Sequence, residues 1–182
     1  MNYKIILQEI QKRQLEHFYS LDDFISMGTT LLPKYRRGLY WFWSRLDYQL
    51  LREAKDNHKS EVPISKLIEQ RIGLNSICQI ENKNFKVMYN GIGGYKTNPR
   101  SYGLRERILQ EINSTDIRTG TLNIRNRYEN NINWAVSFFD FDDEENKKYF
   151  PFLNEPDAYK NYASDLEKLW RLEFGHPILC RH

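Results

Sequence analysis

The chain has 182 residues, a formal net charge of +3 at pH 7 and 40% hydrophobic residues, enough for one folded domain over 1–182 with a proper core. A mean hydropathy of -0.73 beside 14% aromatic residues argues against a disordered chain and for a polar surface over an aromatic interior. No apolar run approaches the roughly 18–20 residues that span a bilayer, and charges interrupt the opening MNYKIILQEIQKRQLEHF, so neither a membrane span nor a secretory signal is expected. Cys78 and Cys180 are too few for a disulfide framework. They read as thiols of a cytoplasmic protein.

In chain order, residues 3–19 carry Ile6, Ile10, Leu15 and Phe18 near helical spacing, which predicts an amphipathic helix. Ser20 is a plausible N-cap for a second helix that Pro33 ends. GLYWFWS at 38–44 is a strand candidate, with Trp41, Phe42 and Trp43 expected to serve as packing. Short helices follow in a 45–76 insert, the second closed by Gly73. Residues 76–94 read as a hairpin with Ile77 and Ile80 on one arm, ENKN as its turn, and Phe85, Val87 and Tyr89 on the other. GIGGYKTNPRSYG reads as a loop by composition, LRERILQEI as a helix and WAVSFFDF as an apolar strand. A last helix runs from Asp157 to Gly175. The order predicts an α+β fold: a small, mainly antiparallel three-stranded central sheet flanked by helices. The extra N-terminal helices occupy 1–35, the helical insert 45–76, and the main part of the core 85–180. The acidic run 140–145 (DFDDEE) reads as a solvated charged face.

One ordered set of motifs stands out. GLY at 38–40 lies on a strand, YNG at 89–91 ends a second, and LRERI at 104–108 opens a helix. A late helix then carries a glutamate followed by Gly-x-Pro (LEKLWRLEFGHP, 166–177). This set resembles the GIY-YIG nuclease superfamily, and the short HPILC ending is most similar to its restriction-endonuclease branch. The resemblance implies Tyr40 and Tyr89 as the paired tyrosines, Arg107 as the catalytic arginine and Glu167 as the metal-binding carboxylate, with Mg²⁺ (Mn²⁺ as alternative) as cofactor. The chain departs from the family in three ways: the second motif reads Tyr89-Asn90-Gly91, with Gly91-Ile92-Gly93 as an alternative register that has no tyrosine; the Tyr89–Arg107 loop and the insert between the tyrosines are long; and Glu111 stands where a histidine is usual while the usual asparagine near the end is missing.

The residue types suit phosphodiester hydrolysis on their own chemistry. The reaction needs an activated water, a cation against the phosphate and stabilisation of the leaving oxygen. A single glutamate can hold a Mg²⁺ that keeps most of its waters. Arginine brings a permanent, forked positive charge. A phenol near a cation and a metal-bound water is expected to ionise more readily than its reference pKa near ~10 allows. Tyr40 is the first choice for the base and Tyr89 for orienting water or phosphate, with the reverse assignment open. The plainer reading of Glu167 is an i,i+4 pair with Arg171, and Glu173 is a second candidate for the metal. His176, Cys180 and His182 match no standard zinc spacing.

Double-stranded DNA is the expected partner. Lys96, Asn98 and Arg100 in the 94–102 loop, and Asn123, Arg125 and Arg127 in the 116–133 segment, are side chains that track phosphates or read base edges; Arg105 joins them. A site-specific enzyme with one active site per chain cuts both strands as a two-fold homodimer. The alternatives are a catalytically inactive nucleic-acid-binding module of the same fold and a ribonuclease toxin.

Overall fold

The computed structural model describes residues 2–54, 62–94, 103–113 and 120–181. Its centre is a strand, β2 (Gly38–Ser44), flanked by β4 (Phe85–Gly93) and β5 (Trp134–Asp140). Two short strands complete the sheet: β1 (Phe18–Ser20) beside β5 and β3 (Glu81–Asn82) beside β4. All pairings are antiparallel, in the order β1-β5-β2-β4-β3. The fold is α+β as expected, but among the described residues the sheet has five strands, not three; the expected trio is its middle.

All seven β2 residues are buried because both faces of the sheet are covered, the condition under which a strand reads as a continuous apolar run. Leu39, Trp41 and Trp43 face helices α1 (Tyr3–Gln14) and α8 (Pro156–Phe174), packing with Leu7, Ile10, Tyr159, Ala163 and Trp170. Tyr40 and Phe42 point the other way, towards α2 (Leu21–Leu31), α4 (Ile64–Arg71) and α5 (Leu104–Asn113). Trp41 meets Trp170 at 5.5 Å between ring centroids; burying an aromatic side chain of this kind contributes about 1.5–3 kcal/mol. Trp41, Phe42 and Trp43 are therefore packing residues, as expected.

The insert is part of this packing. Leu51 of α3 (Tyr48–Arg52), with Ile64, Leu67 and Ile68 of α4, joins the cluster around Tyr40; residues 55–61 lie outside the described residues.

Three local readings change. The first helix stops at Gln14, and Phe18–Ser20 forms an edge strand. Phe18 fits helical spacing, but pairing with Ser137 and an edge contact with Trp43 at 5.4 Å hold it in the sheet. The hairpin turn is Lys83-Asn84, with φ of 49° and 66°, the conformation that two-residue hairpin turns require. Its first arm is only Glu81–Asn82, and Ile77 instead bridges His176 in parallel. Gly91, Ile92 and Gly93 are strand, not loop, paired with Tyr40, Leu39 and Gly38.

The acidic run is solvated at Glu144 and Glu145, as expected, while its first carboxylates are engaged by the protein. Burial pushes the Asp140 carboxyl up to about 6, against the pull of its bond from the Asp142 N–H and of Arg36. Asp142 accepts from the Arg37 backbone at 2.7 Å and its Nε at 2.9 Å. Asp143 caps α7 (Glu144–Tyr149). The pair of arginines before β2 is thus clamped to the end of β5.

Gly91 lies directly opposite Tyr40, and a Cβ there would collide with the Tyr40 ring and hydroxyl. Gly91→Ala is expected to lower unfolding stability by about 1–3 kcal/mol in urea titration and to displace the Tyr40 ring. An unchanged midpoint would contradict this packing.

Candidate active site

Helix α5 approaches the sheet closely because the strands offer glycine where it lands. A Cβ on Gly38 would strike the Leu104 side chain, and one on Gly93 the Leu104 backbone. The Leu104 N–H donates to the Arg36 carbonyl at 2.7 Å, anchoring the first turn. The helix then lays Arg107 and Glu111, one turn apart, over the tyrosines. Tyr40 and Tyr89 share this face, since Tyr89 pairs with Phe42 and Gly91 with Tyr40; their ring centroids are 6.2 Å apart.

Glu111 is the meeting point. One carboxylate oxygen, Oε1, accepts from the Tyr40 hydroxyl at 3.0 Å, Arg107 Nη2 at 3.1 Å and the Tyr89 hydroxyl at 3.4 Å. The other, Oε2, accepts from the Leu122 backbone N–H at 2.8 Å. Glu111 and Tyr40 are fully buried, and Tyr89 is partly exposed. Burial raises the Glu111 pKa, opposed chiefly by Arg107 and by the three donated hydrogen bonds. The Arg107 guanidinium is held more firmly charged, first by Tyr40 and then by Glu111 and Tyr89, against its own burial. It also bonds Gln110.

Arg107 acts on both tyrosines in the expected direction, and burial acts against it. Burial is larger and Glu111 adds to it, so both pKa values lie well above the ordinary one. Each is a neutral phenol in this arrangement, not a ready phenolate.

Glu167 stands on the opposite side of β4. It accepts from Arg171 Nη2 at 2.6 Å, the i,i+4 pair the sequence allows. Arg171 in turn donates to Asn90 Oδ1 at 2.8 Å and to the Asn90 carbonyl at 3.3 Å. Asn90 pairs with Trp41 and so belongs to the α8 face, between Tyr89 and Gly91. Among the described residues no hydrogen bond joins Glu167 to the tyrosines, Arg107 or Glu111. Charge does: Arg107 pulls the Glu167 pKa down against the larger upward push of burial, behind Arg171 and Lys168. Glu173 pairs with Lys4 at 3.7 Å instead.

The donor set bears on a metal. Among the described residues there is no group of three or more His, Cys, Asp and Glu that could hold an ion. Glu167, with its side chain 15% exposed, offers one carboxylate, which fits a Mg²⁺ that retains most of its waters and not a protein cage. Burial pushes the Cys180 thiol up to about 12, against its use as a zinc ligand, and His176 Nε2 lies 3.2 Å from the Cys180 carbonyl. His182 lies outside the described residues.

Of the residues expected at DNA, Lys96, Asn98 and Arg100 lie outside the described residues. Arg105 is buried and pairs with Glu106 at 3.1 Å. Asn123 is buried with φ of 48° and accepts from Asn126 at 2.6 Å. Arg127 is buried and donates to the Val62 carbonyl at 2.7 Å. These three are engaged inside the protein. Arg125, next to them on α6 (Ile124–Arg127), is exposed and reaches Asn113 at 3.3 Å.

Two residues of the site were not singled out as functional from the sequence. Glu111 had a signal: seven residues after Leu104, it falls on the apolar stripe of α5 with Ile108 and Ile112, where a charged side chain needs partners. Asn90 is a polar residue inside a buried strand, though its partner on α8 is remote in sequence.

No family model, curated protein or solved structure matches the chain.

Arg107→Ala would leave the buried Glu111 carboxylate without its cation. The loss is expected to be roughly 3 kcal/mol near pH 8 and smaller near pH 5. A carboxyl whose folded pKa is raised loses stability as pH rises through that pKa, and regains it when protonated. Chemical denaturation at the two pH values checks this, and equal losses at both would contradict it.

Proposed function

We propose that this chain is a metal-dependent DNA endonuclease, hydrolysing phosphodiester bonds in the manner of the GIY-YIG nucleases that its motifs resemble, and in its specific form a restriction enzyme. One observation carries the reading. Tyr40, Tyr89 and Arg107, from three separate segments of sequence, converge within hydrogen-bond distance of a single carboxylate. Convergence of these residue types on one charged, buried point is also what the resemblance leads one to expect of a catalytic cluster, and it supports this reading.

In this reading Arg107 turns its fork towards a phosphate, where a permanent charge complements the charge gathering on the oxygens. The tyrosine hydroxyls position the attacking water beside it. Glu167 would hold Mg²⁺, which supplies Lewis-acid polarisation of the phosphate and a more acidic bound water. Arg171 keeps the Glu167 carboxylate in place from the Asn90 side. Arg125 and Asn126, beside Asn130 and Asn133, line a cavity of about 500 Å³. These side-chain types can meet phosphates or base edges. Cutting both strands would take a homodimer.

A second reading, nucleic-acid binding without hydrolysis, draws on the closed state of the site: Tyr40 is fully buried and Arg107 already pairs with Glu111. Incubation of the protein with plasmid DNA and Mg²⁺ separates the two. Discrete fragments are expected, with Glu167→Ala inactive and Tyr40→Phe slowed by roughly 100-fold or more at unchanged circular dichroism. Wild-type protein that shifts DNA without cutting it would favour the second reading, and an active Tyr40→Phe enzyme would return that tyrosine to the core.

A further inference from the structure

Glu111 takes up four donors at once: two phenols, a guanidinium and a backbone amide. An ionised carboxylate has about four acceptor sites and no proton to give. Its state therefore dictates which way each tyrosine O–H must point. A neutral carboxylic acid, or an amide in its place, would bring a donor into the same cluster and force a hydroxyl to turn.

The two tyrosines are not equivalent. The Tyr40 hydroxyl has the shorter bond, is fully buried and lies against Arg107. Tyr89 has the longer bond and is, as a residue, not fully buried. With both O–H groups turned inwards each oxygen keeps its lone pairs, and Tyr89 is the residue of the two that is not fully buried.

We propose that Glu111 is a positioning residue that sets the hydrogen-bond polarity of the tyrosine pair, making both hydroxyls donate inwards and leaving the Tyr89 oxygen as an outward acceptor for the attacking water. The catalytic part of this rests on the nuclease reading; the polarity of the pair does not. The groups facing Glu111 are Arg107 on its own helix, Tyr40 from β2, Tyr89 from β4, the Leu122 N–H ahead of α6 and, through charge alone, Glu167 from α8. Burial keeps the Glu111 pKa above that of an ordinary glutamate, so the switch in polarity falls at higher pH than a surface carboxylate would give.

The test follows the labelled ζ carbons of the tyrosines by NMR across about pH 4 to pH 9, a range that spans the ordinary carboxylate value of about 4.3. Tyr40→Phe and Tyr89→Phe assign the two signals. In the wild type both signals are expected to move together, with one apparent pKa above that of a free glutamate; in Glu111→Gln this step is absent. Signals that stay flat in the wild type, or a step that survives in Glu111→Gln, would overturn the proposal. On plasmid DNA with Mg²⁺, Glu111→Gln is expected to cut roughly 100-fold more slowly and to lack the acid limb of the pH–rate profile. Cutting at the wild-type rate with the same acid limb would equally overturn it. A wild type inert towards DNA sinks the nuclease reading, and the NMR titration then still decides the polarity.

Discussion

A carboxylate removed from water has to be surrounded by donors, and the Glu111 carboxylate is surrounded by four. Burial alone would drive it to protonate, and the cation and hydrogen bonds oppose that. The arrangement is costly to break from any side. Losing one donor leaves a buried acceptor short; losing the acceptor strands two hydroxyls and a guanidinium. That cost ties β2, β4 and α5 together around a polar point in an otherwise apolar cluster.

The rest of the fold can be understood as what lets that cluster exist. Gly91 makes room for the Tyr40 ring, while Gly38 and Gly93 let α5 sit on the strands. The bulge between Phe42 and Trp43 resets the register of β2 against β4 next to Tyr89. On the far face, α8 brings Glu167 and Arg171 to Asn90. The C-terminal segment closes the β4 edge, with the Leu179 N–H donating to the Met88 carbonyl at 2.9 Å and the Cys180 thiol 3.2 Å from Asn90 Oδ1. The two faces communicate by charge across β4, as Arg107 and Glu167 act on one another without touching. Among the described residues no helix is long and apolar enough to cross a membrane.

Much of this was legible before the fold was known, where local chemistry and tertiary structure agree. GLYWFWS could hardly be anything but a covered strand. Ser20 caps its helix as it should, accepting from the Asp23 N–H at 3.1 Å, and Gly175 ends α8 with φ of 94°. The order of Tyr40, Tyr89 and Arg107 along the chain pointed to side chains that the fold brings together at Glu111. What stayed hidden depends on partners far away in sequence. Phe18 became a strand because of Trp43 and Ser137, and Ile77 left its hairpin for His176. Asn123 and Arg127 looked like readers of DNA because asparagine and arginine pair with bases, yet inside the fold Asn123 accepts from a neighbouring amide and Arg127 donates to a backbone carbonyl. Glu111 was noticed only as a departure from a motif, although its place on the apolar stripe of α5 already marked it as buried.

The central claim is that Glu111 is the shared acceptor on which the site is assembled. A double-mutant cycle in unfolding free energy tests it most directly, combining Arg107→Met with Glu111→Gln. Residues joined in one buried network are expected to couple by about 1–3 kcal/mol, with the double variant less damaged than the sum of the singles. Losses that add to within about 0.5 kcal/mol would mean that Arg107 and Glu111 stand independently, and would contradict the account.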